Sequence, residues 1–257
     1  MNRIAVEEAL PLLASKSQVE RSQDCRSMGN QVTVDPVGRT IFAPLHYEAN
    51  YAYPLLVWLH PEGHNELHIR QVMPGISMRN YAAVAPRGTH EVPSGDVSQP
   101  DQRFTWRQTE DHILLAQQRV LDSIEQAQKR FRIHPNRIFL AGVGNGGTMA
   151  LRIAMIFPDR FAGVLSLGGA FPVGNMPLSQ INAARRLPLC IASSRDSANY
   201  SELQLCKDLR LIHSAGMLVT VRQYPGGDDS SEMILSDVDR WIMDVISGDR
   251  EASVVSA

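Results

Sequence analysis

Ile138-Phe139-Leu140-Ala141-Gly142-Val143-Gly144-Asn145-Gly146-Gly147 is the stretch on which the reading of this 257-residue chain turns. Four apolar residues suited to a buried strand run into a turn with glycine at four of its six positions. Thr148-Met149-Ala150-Leu151-Arg152-Ile153-Ala154 then opens a helix, so the local unit is strand, tight turn, helix. Such units build sheets whose strands alternate with covering helices. The tip of the turn, Gly144, carries no side chain, and chemistry at that point is left to the main chain.

The same alternation extends in both directions. Leu55-Leu56-Val57-Trp58-Leu59 is a continuous apolar run, the mark of a strand buried on both faces, and Ala82-Ala83-Val84-Ala85 is a second, ended by Pro86. Enough chain separates them for a crossover helix. From Glu110 to Phe131 apolar residues recur at helical spacing, at Ile113, Ala116, Val120, Ile124, Ala127 and Phe131. Downstream, strands are expected at Phe161–Leu167, Leu189–Ala192 and Leu218–Arg222. Helices are expected at Glu202–His213 and Glu232–Ile246, the latter burying Met233, Ile234, Val238, Trp241, Ile242 and Val245. Gln31–Asp35 and Arg39–Ala43, flanking Pro36-Val37-Gly38, predict an antiparallel hairpin before the parallel strands begin. The fold class is therefore α/β, with a mostly parallel twisted sheet, an antiparallel N-terminal hairpin and helices on both faces. An N-terminal extension at residues 1–30 holds one short helical pattern, Val6–Ala14. One domain is expected over 31–247, and 248–257 form a tail.

Composition excludes several function classes. Hydrophobic residues at 44%, charged residues at 20% and a net charge of −2 give no basic excess that would draw nucleic acid. Cys25, Cys190 and Cys206 are odd in number and widely spaced, which suits free thiols in a reducing compartment and gives no metal-binding spacing. Ala9–Ala14, the N-terminal apolar run, is short and follows Glu7-Glu8, unlike a secretion signal. No stretch approaches the roughly 20 apolar residues of a membrane span. A cytoplasmic, non-membrane protein without a cofactor is the expectation.

Four further motifs join the opening stretch. Leu59-His60-Pro61-Glu62-Gly63-His64 follows the first long strand and Ala85-Pro86-Arg87-Gly88 the next. His134-Pro135-Asn136-Arg137 leads into the glycine turn, and Phe157-Pro158-Asp159-Arg160-Phe161 leaves its helix. In this order they resemble the α/β-hydrolase fold, and within it the phospholipase/carboxylesterase and polyhydroxybutyrate-depolymerase-like esterases. The resemblance spans roughly residues 31–247. It implies a Ser-Asp-His triad in chain order and an oxyanion hole of two backbone N–H groups. Carried over by position, the nucleophile is Gly144, the acid is Asp196 in Ser193-Ser194-Arg195-Asp196, and the histidine after Tyr224-Pro225-Gly226-Gly227 is Asp228. The oxyanion donors fall on the backbone of Glu62 and Asn145, while His60 and Trp106 are candidates to line the cleft.

Two of three triad members are thus absent. Imidazole, with a pKa in water of about 6.5, accepts a serine proton near neutrality, and a carboxylate near 4 does so poorly. The resemblance with these departures implies an esterase-like homologue that binds a small molecule or a protein, a homodimer among the options, without serine catalysis. An active carboxylesterase or phospholipase-type hydrolase using other groups, or a cation held at Asp196 and Asp228, stands as the alternative. Gly142–Gly147 also spells G-x-G-x-x-G, but Leu165-Ser166-Leu167-Gly168-Gly169 brings no carboxylate where a dinucleotide site needs one.

Overall fold

Every residue from Leu55 to Leu59 is buried because both faces of its strand are covered. In the structure, a computed structural model that describes residues 32–35, 37–93, 102–174, 180–227 and 229–248, this run is the heart of strand β3 (Tyr53–Leu59). The other strands of the main sheet are β1 (Val32–Asp35), β2 (Arg39–Phe42), β4 (Ala82–Pro86), β7 (Ile133–Val143), β8 (Gly163–Leu167), β9 (Leu189–Ser194) and β10 (Val219–Tyr224). Their order is β1-β2-β4-β3-β7-β8-β9-β10. β1 and β2 pair antiparallel, as do β2 and β4; the remaining neighbours are parallel. The expected hairpin and parallel sheet are both present.

The pleat of β3 sends alternate residues into two cores, as a strand period of two requires. Leu55, Val57 and Leu59 pack with α2 (Glu110–Arg130), α3 (Asn145–Ile156) and α5 (Glu202–Ser214). Leu56 and Trp58 pack on the other face with α1 (Ile69–Ile76) and α6 (Glu232–Ser247). A four-residue helix, α4 (Ile181–Ala184), adds Ala184 to the first core. α2 carries Glu110 and Asp111 in its first turn and Lys129 and Arg130 in its last, matching charge to the helix dipole.

Three details depart from the sequence expectations. Met233 is 58% exposed, not part of the buried face of α6. β7 begins at Ile133, five residues earlier than the apolar run indicates; Tyr53 pairs with Ile133 but Leu55 with Ile138, so His134-Pro135-Asn136-Arg137 forms an irregularity within the strand. A small antiparallel pair, β5 (His90–Val92) and β6 (Arg103–Thr105), lies outside the main sheet and meets the chain after β3 through a His64–Phe104 bridge. The short helix expected at Val6–Ala14, Cys25 and the tail beyond Gly248 lie outside the described residues. Among the described residues no helix is long and apolar enough to cross a membrane.

Candidate active site

The glycines of the turn after β7 answer to different constraints. A Cβ on Gly142 would fall 2.5 Å from the carbonyl carbon and oxygen of Gly146, and one on Gly146 would fall 2.5 Å from the carbonyl oxygen of His60. Gly147 is closed by Ser166 Oγ at 2.6 Å. These residues are glycine because the first turn of α3 presses against β7, the end of β3 and β8. This packing accounts for the glycine-rich string without a bound nucleotide.

Gly144 is different. Its backbone takes φ 56° and ψ −124°, a conformation that side-chain-bearing residues rarely adopt, yet a Cβ built there meets nothing within 4 Å. The bend is held by Gly144 N–H donating to Leu167 O at 2.8 Å and Thr148 N–H donating to Gly144 O at 3.0 Å. The turn is a sharp strand-to-helix elbow of the kind that projects a nucleophile above a parallel sheet, with open space where a side chain would stand.

The elbow borders a cavity of about 510 Å³ whose wall includes Glu62, His64, Gly144, Asn145, Asp229 and Ser230. It lies outside the carboxyl ends of β7 and β8, where open parallel sheets place their ligands. Another cavity, about 330 Å³, sits near the amino end of β3 between Tyr53, Arg79, Arg137 and Met243. Glu62 and Asn145, the two expected oxyanion positions, therefore share a wall with Gly144. Asn145 is the first residue of α3, and its N–H belongs to the first turn, where donors lack intrahelical partners. Its side-chain NH₂ donates to Thr105 Oγ1, while its other amide atom is buried without a partner.

His60 and Trp106 do not reach this wall. His60 is 0% exposed, its Nδ1–H donates to Pro61 O at 2.8 Å, and its Nε2 accepts from Gly88 N–H at 2.9 Å. Burial lowers its pKa to about 4, against the backbone bond that favours protonation. Trp106, 1% exposed, donates from Nε1 to His60 O at 3.0 Å. Both brace the turn from below. Arg87, from the Ala-Pro-Arg-Gly motif, grips buried Glu66 with two bonds of 2.5 and 2.9 Å and lies over the Phe104 ring. Burial alone would raise the Glu66 pKa; the Arg87 bonds outweigh it and the net direction is down. Arg119 in turn donates to the carbonyls of Arg87 and Gly88.

The acidic positions separate. Asp196 follows β9 as expected, but it is exposed and takes no part in the cavity wall. Asp228 lies outside the described residues. Its neighbour Asp229, 8% exposed, belongs to the cavity wall. Asp229 Oδ1 accepts from Ser194 N–H at 2.8 Å and Oδ2 from Ser197 Oγ at 2.6 Å. The loops after β9 and β10 are tied together by Arg195 N–H to Tyr224 O and Asp196 N–H to Gly226 O. Among the described residues no three His, Cys, Asp or Glu side chains converge as a metal site.

Comparison with known proteins agrees with this architecture. A "Probable carboxylesterase" of Oryza sativa subsp. japonica is 24% identical over 177 residues, 67% of this chain and 63% of the rice protein. The chain thus spans under two thirds of that relative's length. Arabidopsis thaliana SOBER1 superposes with a TM-score of 0.62 at 20% identity, covering 76% of this chain and all of SOBER1. A carboxylesterase from Mesorhizobium loti gives 0.63 at 17% identity over 84% of this chain and 99% of its own. The Bacillus cereus carboxylesterase gives 0.60 at 16% identity over 88% and 98%. At such identities these likenesses show the α/β-hydrolase fold alone. Residues 50–245 match the phospholipase/carboxylesterase family, and the chain belongs to it.

Proposed function

We propose that this family member has no serine-hydrolase chemistry and that its cleft binds a ligand without acylating on it. Gly144 carries the reading. The elbow conformation is present at φ 56° and ψ −124°, the space for a side chain is open, and no nucleophilic atom occupies it. Asp229 in the same wall supports the reading, since a carboxylate there cannot replace imidazole as the base that takes a serine proton and returns it to the leaving group. Glu62 and Asn145 leave the cavity with candidate main-chain donors for a ligand oxygen.

The test is a fluorophosphonate probe combined with aryl acetate and aryl butyrate hydrolysis, run with a chelator and again with added magnesium, calcium or manganese. The expected outcome is no covalent labelling and no turnover above background in any condition. Labelling together with metal-independent turnover overturns the proposal; turnover that appears only with added metal overturns it in favour of cation-assisted hydrolysis.

A further inference from the structure

We propose that the ligand of this cleft carries a protonated amine beside a carbonyl group, as in a small aminoacyl ester or amide. The inference rests on the reading of the cleft as a binding site and assigns the chemical class of what it holds.

The cavity is polar in a one-sided way. Its wall includes the acidic residues Glu62 and Asp229 together with His64, and among the described residues no lysine or arginine belongs to it. Asp229 is the informative group. Taking a carboxylate out of water is costly unless a cation or several donors compensate. The donors present are a backbone N–H and a serine hydroxyl, both neutral. The ion pairs among the described residues engage Asp35, Glu66, Asp111 and Asp237, and none engages Asp229. Gly168, at φ +63°, lies against this carboxylate so closely that a Cβ there would collide with Oδ2. Glycine at position 168 thus leaves room for a buried acid that no ion pair among the described residues engages.

The same cavity has a positive end. Asn145 opens α3, and a helix N-terminus offers unsatisfied N–H groups and the positive pole of the helix dipole. A carbonyl oxygen suits that end and an ammonium suits Asp229. A free carboxylate or phosphate would gain at α3 and lose against Asp229 and Glu62. An inorganic cation lacks the three-ligand cluster it would need among the described residues. A ligand with both a carbonyl and an ammonium satisfies the two poles at once, and the bond to Asp229 is charge-assisted.

The experiment uses the full ¹⁵N-labelled chain at pH 6.5, below the α-amine pKa of about 7.7–8.0. L-Phenylalaninamide is titrated against 3-phenylpropanamide, the same molecule without its amine. Phenylalaninamide should shift the Asn145, Gly169 and Ser230 amide resonances and bind at least about tenfold more tightly, the equivalent of 1.4 kcal/mol. In folded Asp229→Asn the ratio should fall towards one with 3-phenylpropanamide unaffected. In the unmodified protein the ratio should also collapse at pH 9.5, where the amine is neutral, and this arm needs no variant to fold. Equal binding of the two amides at the cleft, or an Asp229→Asn ratio like the parent's, overturns the inference and leaves ligand binding standing. Failure of both amides to shift any cleft resonance overturns both.

Discussion

Substituting alanine for each glycine of the elbow separates packing from function. At Gly146 the new Cβ would sit 2.5 Å from His60 O and 2.6 Å from Leu59 O. That is about 0.8 Å inside the ~3.3 Å at which carbon and carbonyl oxygen normally approach. The obstacle is the backbone of β3, which cannot rotate away, so the cost belongs at or above the top of the overpacking range of about 1–3 kcal/mol. Alanine gains about 1 kcal/mol in helix propensity at this position, which makes a net loss more telling. Gly142→Ala meets the carbonyl of Gly146 at 2.5 Å and should cost a similar amount. Gly144→Ala meets nothing within 4 Å and carries only the conformational cost of its sparsely populated backbone region, about 1–3 kcal/mol. Urea denaturation read by tryptophan fluorescence should therefore rank Gly144→Ala as clearly the mildest of the three. A Gly144→Ala variant as unstable as Gly146→Ala would show that the fold itself demands glycine at the tip, and the functional reading of that glycine would go with it.

Gly144→Ser combined with Asp229→His should give fluorophosphonate labelling and slow aryl-ester hydrolysis, while each single variant stays silent. Turnover should be low, because Asp196 is exposed and a triad lacking its acid loses about 10⁴-fold; a folded double variant with no labelling would mean the two positions do not face each other. Acid should destabilise the protein through His60 and His68, whose pKa values burial lowers to about 4 from an unfolded value near 6.5. Below pH 6.5 the unfolded chain binds more protons than the native one, so stability is full above that pH and falls as pH drops towards 4, by about 3 kcal/mol for each histidine. Melting temperatures that stay flat from pH 6.5 to 5 would contradict this, and His68→Gln should make the decline shallower.

What the sequence made legible follows from the size of the signal. Leu55–Leu59 and Ile138–Ala141 read as buried strands because both sheet faces are covered, so no polar residue interrupts them. β5 and β6 gave no comparable signal: three residues each, partly exposed, they cannot show alternation. Met233 failed for a geometric reason. Ile234, Leu235, Val238, Trp241 and Ile242 form the inward stripe of α6, and Met233 is turned about 100° from Ile234 away from the side on which Leu235 and Ile242 extend it. The neighbourhood of the elbow was legible from its turns. Gly144, Asn145 and Glu62 meet at one cavity because turn chemistry after β3 and β7 places them. His60 was misjudged as a cleft candidate because a motif shows which residue stands in a turn, but not on which side of the backbone its ring packs.

The supports beneath the cleft bear on the proposed reading of it as a binding site. His60 is held neutral in the core, Trp106 is spent on a single backbone carbonyl, and the Glu66–Arg87 pair is buried on its acid side. Groups of this kind are poor sources of stability, since desolvation offsets much of what a buried ion pair or ring nitrogen contributes. Their common effect is to fix the turn after β3 and the turn after β4 against each other, and with them the position of Glu62 relative to Gly144 and Asn145. Here the geometry coexists with glycine at the one elbow position where packing does not require it, and with a buried acid in the same cavity wall. Those two features together favour a cleft shaped to hold a ligand over the remnant of a catalytic one.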